Sequence, residues 1–233
     1  MNFLLHRHLA ARALNSGAAG HAAMLPDLWR MADRRVRATA EAPAPGHGST
    51  PLDHEVEAGI AHHLEADRWF HRSAVFTEGE AAVGERFRAA AFVAPRMPLL
   101  AHAAWELCLD GALVRHQGLA PTLALLSTGR DLLGDGATLR AAARHHFDRV
   151  PRSDAERAAF GGRMGDIVER LIDGRWVSAY TTADGVAAVL DAMRRRLALS
   201  GLGERDRRAL AAALEPMVAR ADAALDGLLA AAP

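Results

Sequence analysis

The sequence predicts an all-helical protein, a single globular multi-helix domain, and three observations carry that expectation. Half of the 233 residues are apolar, much of that half being alanine, the best helix former. Valine and isoleucine are sparse, and the alternating runs that mark strands are missing. Helix starts and stops recur along the chain, spelled by Ser, Thr, Pro and Gly at the ends of apolar stretches. A chain of this length can enclose a sizeable core.

Taken in order, the first helix is expected from Asn2 to about Leu14, ended by "NSG". A second covers roughly Gly20 to Arg35, with Pro26 near its middle or marking a kink. "EAPAPGHGSTP", residues 41–51, is dense in Pro and Gly and reads as a loop insertion at about 38–51. What precedes it is too short to fold alone, so it is not a domain boundary. Ser49 or Thr50 caps the next helix with Pro51 at its first position, and the pattern runs on through "LDHEVEAGIAHHLEADRWFHRSAVF". "FTEGEAAVGERFRAAAF" follows, then the breaker "VAPRMP" and the helix "LLAHAAWELCLDGALVRH", closed by "QGLAP". Shorter helices are expected around 121–133 and 136–147, Ser153 caps the next, and a final pair covers about 182–198 and 203–230. No repeat is evident. The whole chain, 1–233, reads as one domain of roughly eight to ten helices.

Lys plus Arg equals Asp plus Glu, 28 each, and every basic residue is arginine. A neutral chain gives nucleic-acid binding no electrostatic support. The single Cys108 excludes an intrachain disulfide framework and fits a reducing compartment. "MNFLLHRHLAARAL" is too short and too interrupted for a signal peptide's apolar segment, and nothing approaches the run of about 20 apolar residues of a membrane span. A cytoplasmic location, with no membrane partner, is the expectation.

Two helical stripes carry ligand-type side chains. His63, Asp67 and His71 are four apart, and so are His102, Glu106 and Asp110; residues at that spacing share a face. The second stripe lies in a helix apolar around its whole circumference, which predicts burial. A buried carboxylate must share a proton, meet a cation or bind a metal, and His with Asp or Glu are the ligands divalent transition metals take. The plainer reading of one such stripe is a surface ion pair; two together favour a metal. His6 shares a face with Leu9, Ala10 and Ala13 and is a better inward candidate than His8. Asp27, between Leu25, Pro26, Leu28 and Trp29, is a helix cap or a buried ligand. Asp53, His54, Glu55 and Glu57 read as an exposed helical start, His145 and His146 as surface, His47 as solvated in its loop. Phosphate loops, nucleophile elbows and C-x-x-C pairs are missing, and Cys108 reads as a core thiol.

"MNFLLHRHLA", then "GHAAMLPD", then "GIAHHLEAD" resembles the acyl carrier protein phosphodiesterase family, which begins with a Met-Asn-Phe-Leu-x-His-x-His-Leu-like segment and continues with Gly-Ile-x-x-His-x-x-x-Asp. "APRMPLLAHAAWELCL" is similar to the family's segment around Trp-Asp-His, and "RWVSAYTTADGVAAVLDAMRRRL" to its Trp-x-x-x-Tyr and Met-x-x-Arg-Arg region. The resemblance implies an HD-domain-like helical bundle, divergent from the HD phosphohydrolases. It implies hydrolysis of the phosphodiester joining 4'-phosphopantetheine to acyl carrier protein, with a divalent metal such as manganese. By position, His6, Asp27, His63 and Asp67 match and would form the metal-site core, and Glu106 stands where the family commonly has Asp. His102 and His71 stand where Asp is usual, Leu107 replaces the histidine of Trp-Asp-His, and His21 replaces Asn.

The combined expectation is a metal-dependent phosphodiesterase or phosphohydrolase using Mn, Fe or Zn. Its metal ligands would come from His6, Asp27, His63, Asp67, His102, Glu106 and Asp110, with Asp27, Asp67, His102 and Glu106 in the chemistry. Arg195 and Arg196, beside Arg194, would grip phosphate through the guanidinium fork, against the plainer reading of a solvated helix end. His71, supported by spacing alone, drops to a supporting or surface position. The partner would be a phosphorylated or phosphodiester substrate, with acyl carrier protein one candidate; that carrier is acidic and needs a basic docking face. The alternative is a non-catalytic helical binding protein with a structural metal or a buried His/acid network.

Overall fold

The computed structural model describes residues 3–38, 50–90, 97–134, 153–196 and 199–233. Every regular element among them is a helix, so the all-α expectation holds. These residues form two compact units interleaved in sequence. One comprises Phe3–Arg68 and Leu123–Asp173, the other Trp69–Thr122 and Gly174–Ala232.

The first unit contains α1 (Phe3–Ala13), α2 (Gly17–Ala22), α3 (Leu25–Ala32), most of α4 (Pro51–Phe70), the end of α7 (Leu119–Ser127), α8 (Arg130–Gly134) and α9 (Asp154–Ile172). The expected helix over 20–35 is two helices. Ser16 caps α2, its hydroxyl accepting from the Ala19 N–H at 3.1 Å, and Pro26 sits in the first turn of α3. That is where proline costs nothing, because its missing N–H would have no intrahelical partner there. At α4 the Thr50 hydroxyl accepts from the Asp53 N–H (3.1 Å) and donates to the Asp53 carboxylate (2.8 Å). Thr50 is thus the cap that was expected, but Asp53 is 3 % exposed, not part of an open helical start. Ser153 closes a full capping box with Glu156 at the start of α9.

Gly59 sets the position of α4. A Cβ there would lie 2.2 Å from the Ala19 carbonyl oxygen, so α4 rests directly on the backbone of α2. One turn later the same approach brings His63 to the chain following α2. Trp29, Phe3, Leu5, Met24 and Ile60 fill the core around these helices.

The second unit is built around α6 (Met97–Gln117), packed by α5 (Ala74–Ala89), α10 (Arg175–Ala179), α11 (Ala183–Arg196) and α12 (Glu204–Ala231). From Leu100 to Val114 every residue of α6 except His102 is buried, as its all-round apolar sequence predicts. By length and composition α6 would suffice to cross a bilayer, contrary to the expectation that no segment comes close. Yet 78 % of that window is buried against its neighbours, as in a core helix. Trp105 lies against Gly79, where a Cβ would come 2.0 Å from its ring, and its indole N–H donates to the Val75 carbonyl at 3.0 Å.

The run expected to continue through residue 76 breaks at "HRS". The Arg72 and Ser73 amides bond back to Trp69 and Phe70, and Ser73 caps α5 by accepting from the Phe76 N–H. Gly174, at φ 78°, separates α9 from α10. The expected helix at 136–147, His47, His145, His146 and residues 39–49 of the expected insertion lie outside the described residues.

Candidate metal centres

In the first unit, His6 of α1 meets His63 and Asp67 of α4, and one ligand atom from each lies within 4.8 Å of the others. The imidazoles of His6 and His63 are 4.0 Å apart, tilted by 37°, and His6 Nε2 is 3.8 Å from Asp67 Oδ1. His63 Nδ1 is 2.7 Å from the Ala23 carbonyl oxygen. A carbonyl only accepts, so Nδ1 carries the proton and neutral His63 keeps its Nε2 lone pair available for a cation. His6 is 1 % and His63 4 % exposed, whereas the Asp67 side chain is 40 % exposed. The group therefore has two buried nitrogens and one carboxylate facing water. His8 is half-buried, in keeping with His6 as the inward member. Asp27 is half-buried in the first turn of α3, where a carboxylate complements the helix's unpaired N–H groups; it lies outside the group of three.

In the second unit, His102 and Glu106 of α6 meet His71, which follows the last residue of α4. His71 Nε2 to His102 Nε2 is 3.3 Å, His102 Nε2 to Glu106 Oε1 is 3.3 Å, and His71 Nε2 to Glu106 Oε1 is 3.4 Å. Glu80 of α5 lies 3.3 Å from His102 Nδ1. The edge of Phe76 meets both imidazoles, with centroids 4.5 and 4.9 Å away, and holds them near parallel. Glu106 is buried, its carboxyl held well below the usual range. Burial pushes it up, and hydrogen bonds from His102 and His71 draw it down.

Two residues of the helical stripes fall elsewhere than their spacing suggests. Asp110, fully buried, is not in the second group; it lies near Tyr180, whose hydroxyl is pushed up by burial first and by Asp110 second. His71, expected at most to support the His63–Asp67 pair, belongs with His102 and Glu106. One cause explains both. Eight residues of helix advance about 12 Å, so the ends of a stripe at i and i+8 cannot close on one ion. Each i, i+4 pair instead takes its third member from another segment.

Arg195 is paired with Asp191, and the Arg196 guanidinium lies 5.7 Å over the Trp176 ring. Arg194 is buried and donates to the Ser200 carbonyl at 3.2 Å. Arg195 and Arg196 are exposed at the end of α11, whereas Arg194 is buried. Cys108 is buried, and burial pushes its thiol up to about 12, which is core behaviour. Sequence reasoning gave no role to Arg7. It is 7 % exposed, reaches His21 Nε2 at 3.4 Å, and lines a cavity of about 410 Å³ with His21, Thr128 and Asp131. Its signal was an arginine between two histidines on a buried helix face. No family model, curated protein or solved structure matches the chain; among the described residues, these two groups of ligand-type side chains could each hold a metal ion.

Proposed function

We propose that the chain is a divalent-metal-dependent hydrolase of phosphate diesters, acting at His6, His63 and Asp67. The reaction toward which the sequence resemblance points is release of 4'-phosphopantetheine from holo-acyl carrier protein. One observation carries this reading: three positions that match the family pattern, on two helices distant in sequence, converge with ligand atoms within 4.8 Å.

The residues fit a divalent ion. Two imidazoles and a carboxylate suit Mn, Fe or Zn, and the Ala23 carbonyl already fixes the tautomer in which His63 Nε2 is bare. When bound, the ion acidifies water and neutralises phosphoryl oxygens. The chain supplies the rest. His6 and His63 hold the buried side and exclude water from it. Asp67, open to solvent, marks the side from which a substrate enters. Asp27, half-buried at the start of α3, is the carboxylate assigned to orient water or move a proton. His102 and Glu106 fall in the other group of ligand-type side chains.

The test is turnover by metal-stripped protein reloaded with manganese, iron or zinc, against a panel including holo-acyl carrier protein and a chromogenic phosphodiester. His63→Ala should lower kcat/KM at least as much as loss of an outer partner does, about 10–100-fold. No turnover with any metal, or equal turnover in His63→Ala, overturns the proposal. The second reading, a binding protein with a buried His/acid network, draws on the 3.3–3.4 Å spacings at His71, His102 and Glu106, which hydrogen bonds also satisfy. It predicts melting that no divalent metal shifts.

A further inference from the structure

The three ligand atoms of the second group define a nearly equilateral triangle with edges of 3.3, 3.3 and 3.4 Å. A tetrahedral ion with bonds of about 2.0–2.1 Å requires ligand–ligand edges of about 3.3–3.4 Å, the bond length times 1.63. Octahedral magnesium with bonds of the same length requires about 2.8–3.0 Å. The ligand chemistry points the same way, since two imidazoles and one carboxylate suit zinc and not calcium or magnesium.

From this geometry we infer that His71, His102 and Glu106 form a tetrahedral zinc-type site of their own, with the fourth position open to solvent. Glu80 orients it. Its carboxylate lies 3.3 Å from His102 Nδ1, and the tautomer with the proton on that nitrogen turns the His102 Nε2 lone pair toward the other two ligand atoms. Phe76 supplies the apolar wall that keeps both rings in place. Glu106 is 4 % exposed while His71 and His102 are 29 % and 32 % exposed, so the triangle has a buried floor and an accessible face. Structural zinc sites are closed by four protein ligands; a site with three keeps a position for water or a ligand. The inference shares no residue with the proposed hydrolase group and does not depend on it.

Cobalt(II) reports the geometry, because its four-coordinate complexes absorb visible light strongly and its six-coordinate ones weakly. The titration uses full-length, metal-stripped Asp67→Ala protein, in which the first group is disabled. An intense visible spectrum should develop and be bleached by zinc. Adding His71→Ala, or His102→Ala as a second variant, should abolish it at unchanged far-ultraviolet circular dichroism. Glu80→Gln should keep the spectrum and weaken binding about 10–100-fold. A pale six-coordinate spectrum, no binding in the Asp67→Ala protein, or an intense spectrum that survives both histidine changes overturns the inference.

Discussion

Replacing Gly59 by alanine tests how the fold builds the first metal group. On an exposed helix the change should stabilise, since glycine costs about 0.8–1 kcal/mol relative to alanine in a helix interior. Here the new Cβ would lie 2.2 Å from the Ala19 oxygen, 2.9 Å from the Ala19 carbonyl carbon and 2.9 Å from Ala22 Cβ. Two of these are backbone atoms of a packed helix and cannot swing aside, so α4 must move. Overpacking of this kind costs about 1–3 kcal/mol. Set against the propensity gain, the net is a loss of up to about 2 kcal/mol, or up to about 8 °C in Tm for a protein of this size. Moving α4 off α2 also lengthens the 2.7 Å bond from His63 to Ala23, so divalent metal affinity should fall alongside stability. Gly162, in α9, is the control: a Cβ there meets nothing within 4 Å, and Gly162→Ala should stabilise by about 0.5–1 kcal/mol. Chemical denaturation of both variants, with metal binding measured on the same samples, decides it. A Gly59→Ala protein as stable as Gly162→Ala would refute the close helix approach.

Two further predictions follow from buried groups. His21 is held below its ordinary pKa by burial first and by Arg7 second, against partial opposition from the Leu125 and Gly17 carbonyls. As pH falls, the unfolded chain therefore binds this proton before the folded one does. Stability from this site is complete above the unfolded value of about 6.5 and is lost as pH falls toward the folded one. Urea unfolding of metal-free protein should show that decline, and His21→Gln should flatten it; an unchanged slope contradicts the assignment. Cys108, with its thiol pushed up to about 12, should resist alkylation in native protein at neutral pH and react on unfolding; rapid labelling of the native state would contradict its place in the core.

Much of this was legible in the sequence because it depended on one helix at a time. Thr50 and Ser153 were visible as caps, α6 as a core helix from its unbroken apolar circumference, and His6 as the inward histidine from its neighbours. His63 and Asp67 were visible as a pair because i and i+4 share a face. What one helix cannot specify is where it stops and what approaches it. The break after Phe70 depends on Ser73 capping the next helix, and that break delivers His71 to Glu106 instead of leaving it under Asp67. Asp53 looked exposed because its neighbours are charged, yet Thr50 and the packing of α4 bury it. The helix expected across 20–35 splits because Pro26 serves as a start. Spacing found two members of each group, and tertiary approach supplied the third.

Two groups of ligand-type side chains, one in each unit, are proposed to take one divalent ion each. Metal content per chain, measured after stripping and reloading with zinc, tests it most directly. Two ions are expected in the native protein, one in His63→Ala, one in His71→Ala and none in the double variant. Native protein that retains no zinc, or variants that each keep the full complement, would contradict it.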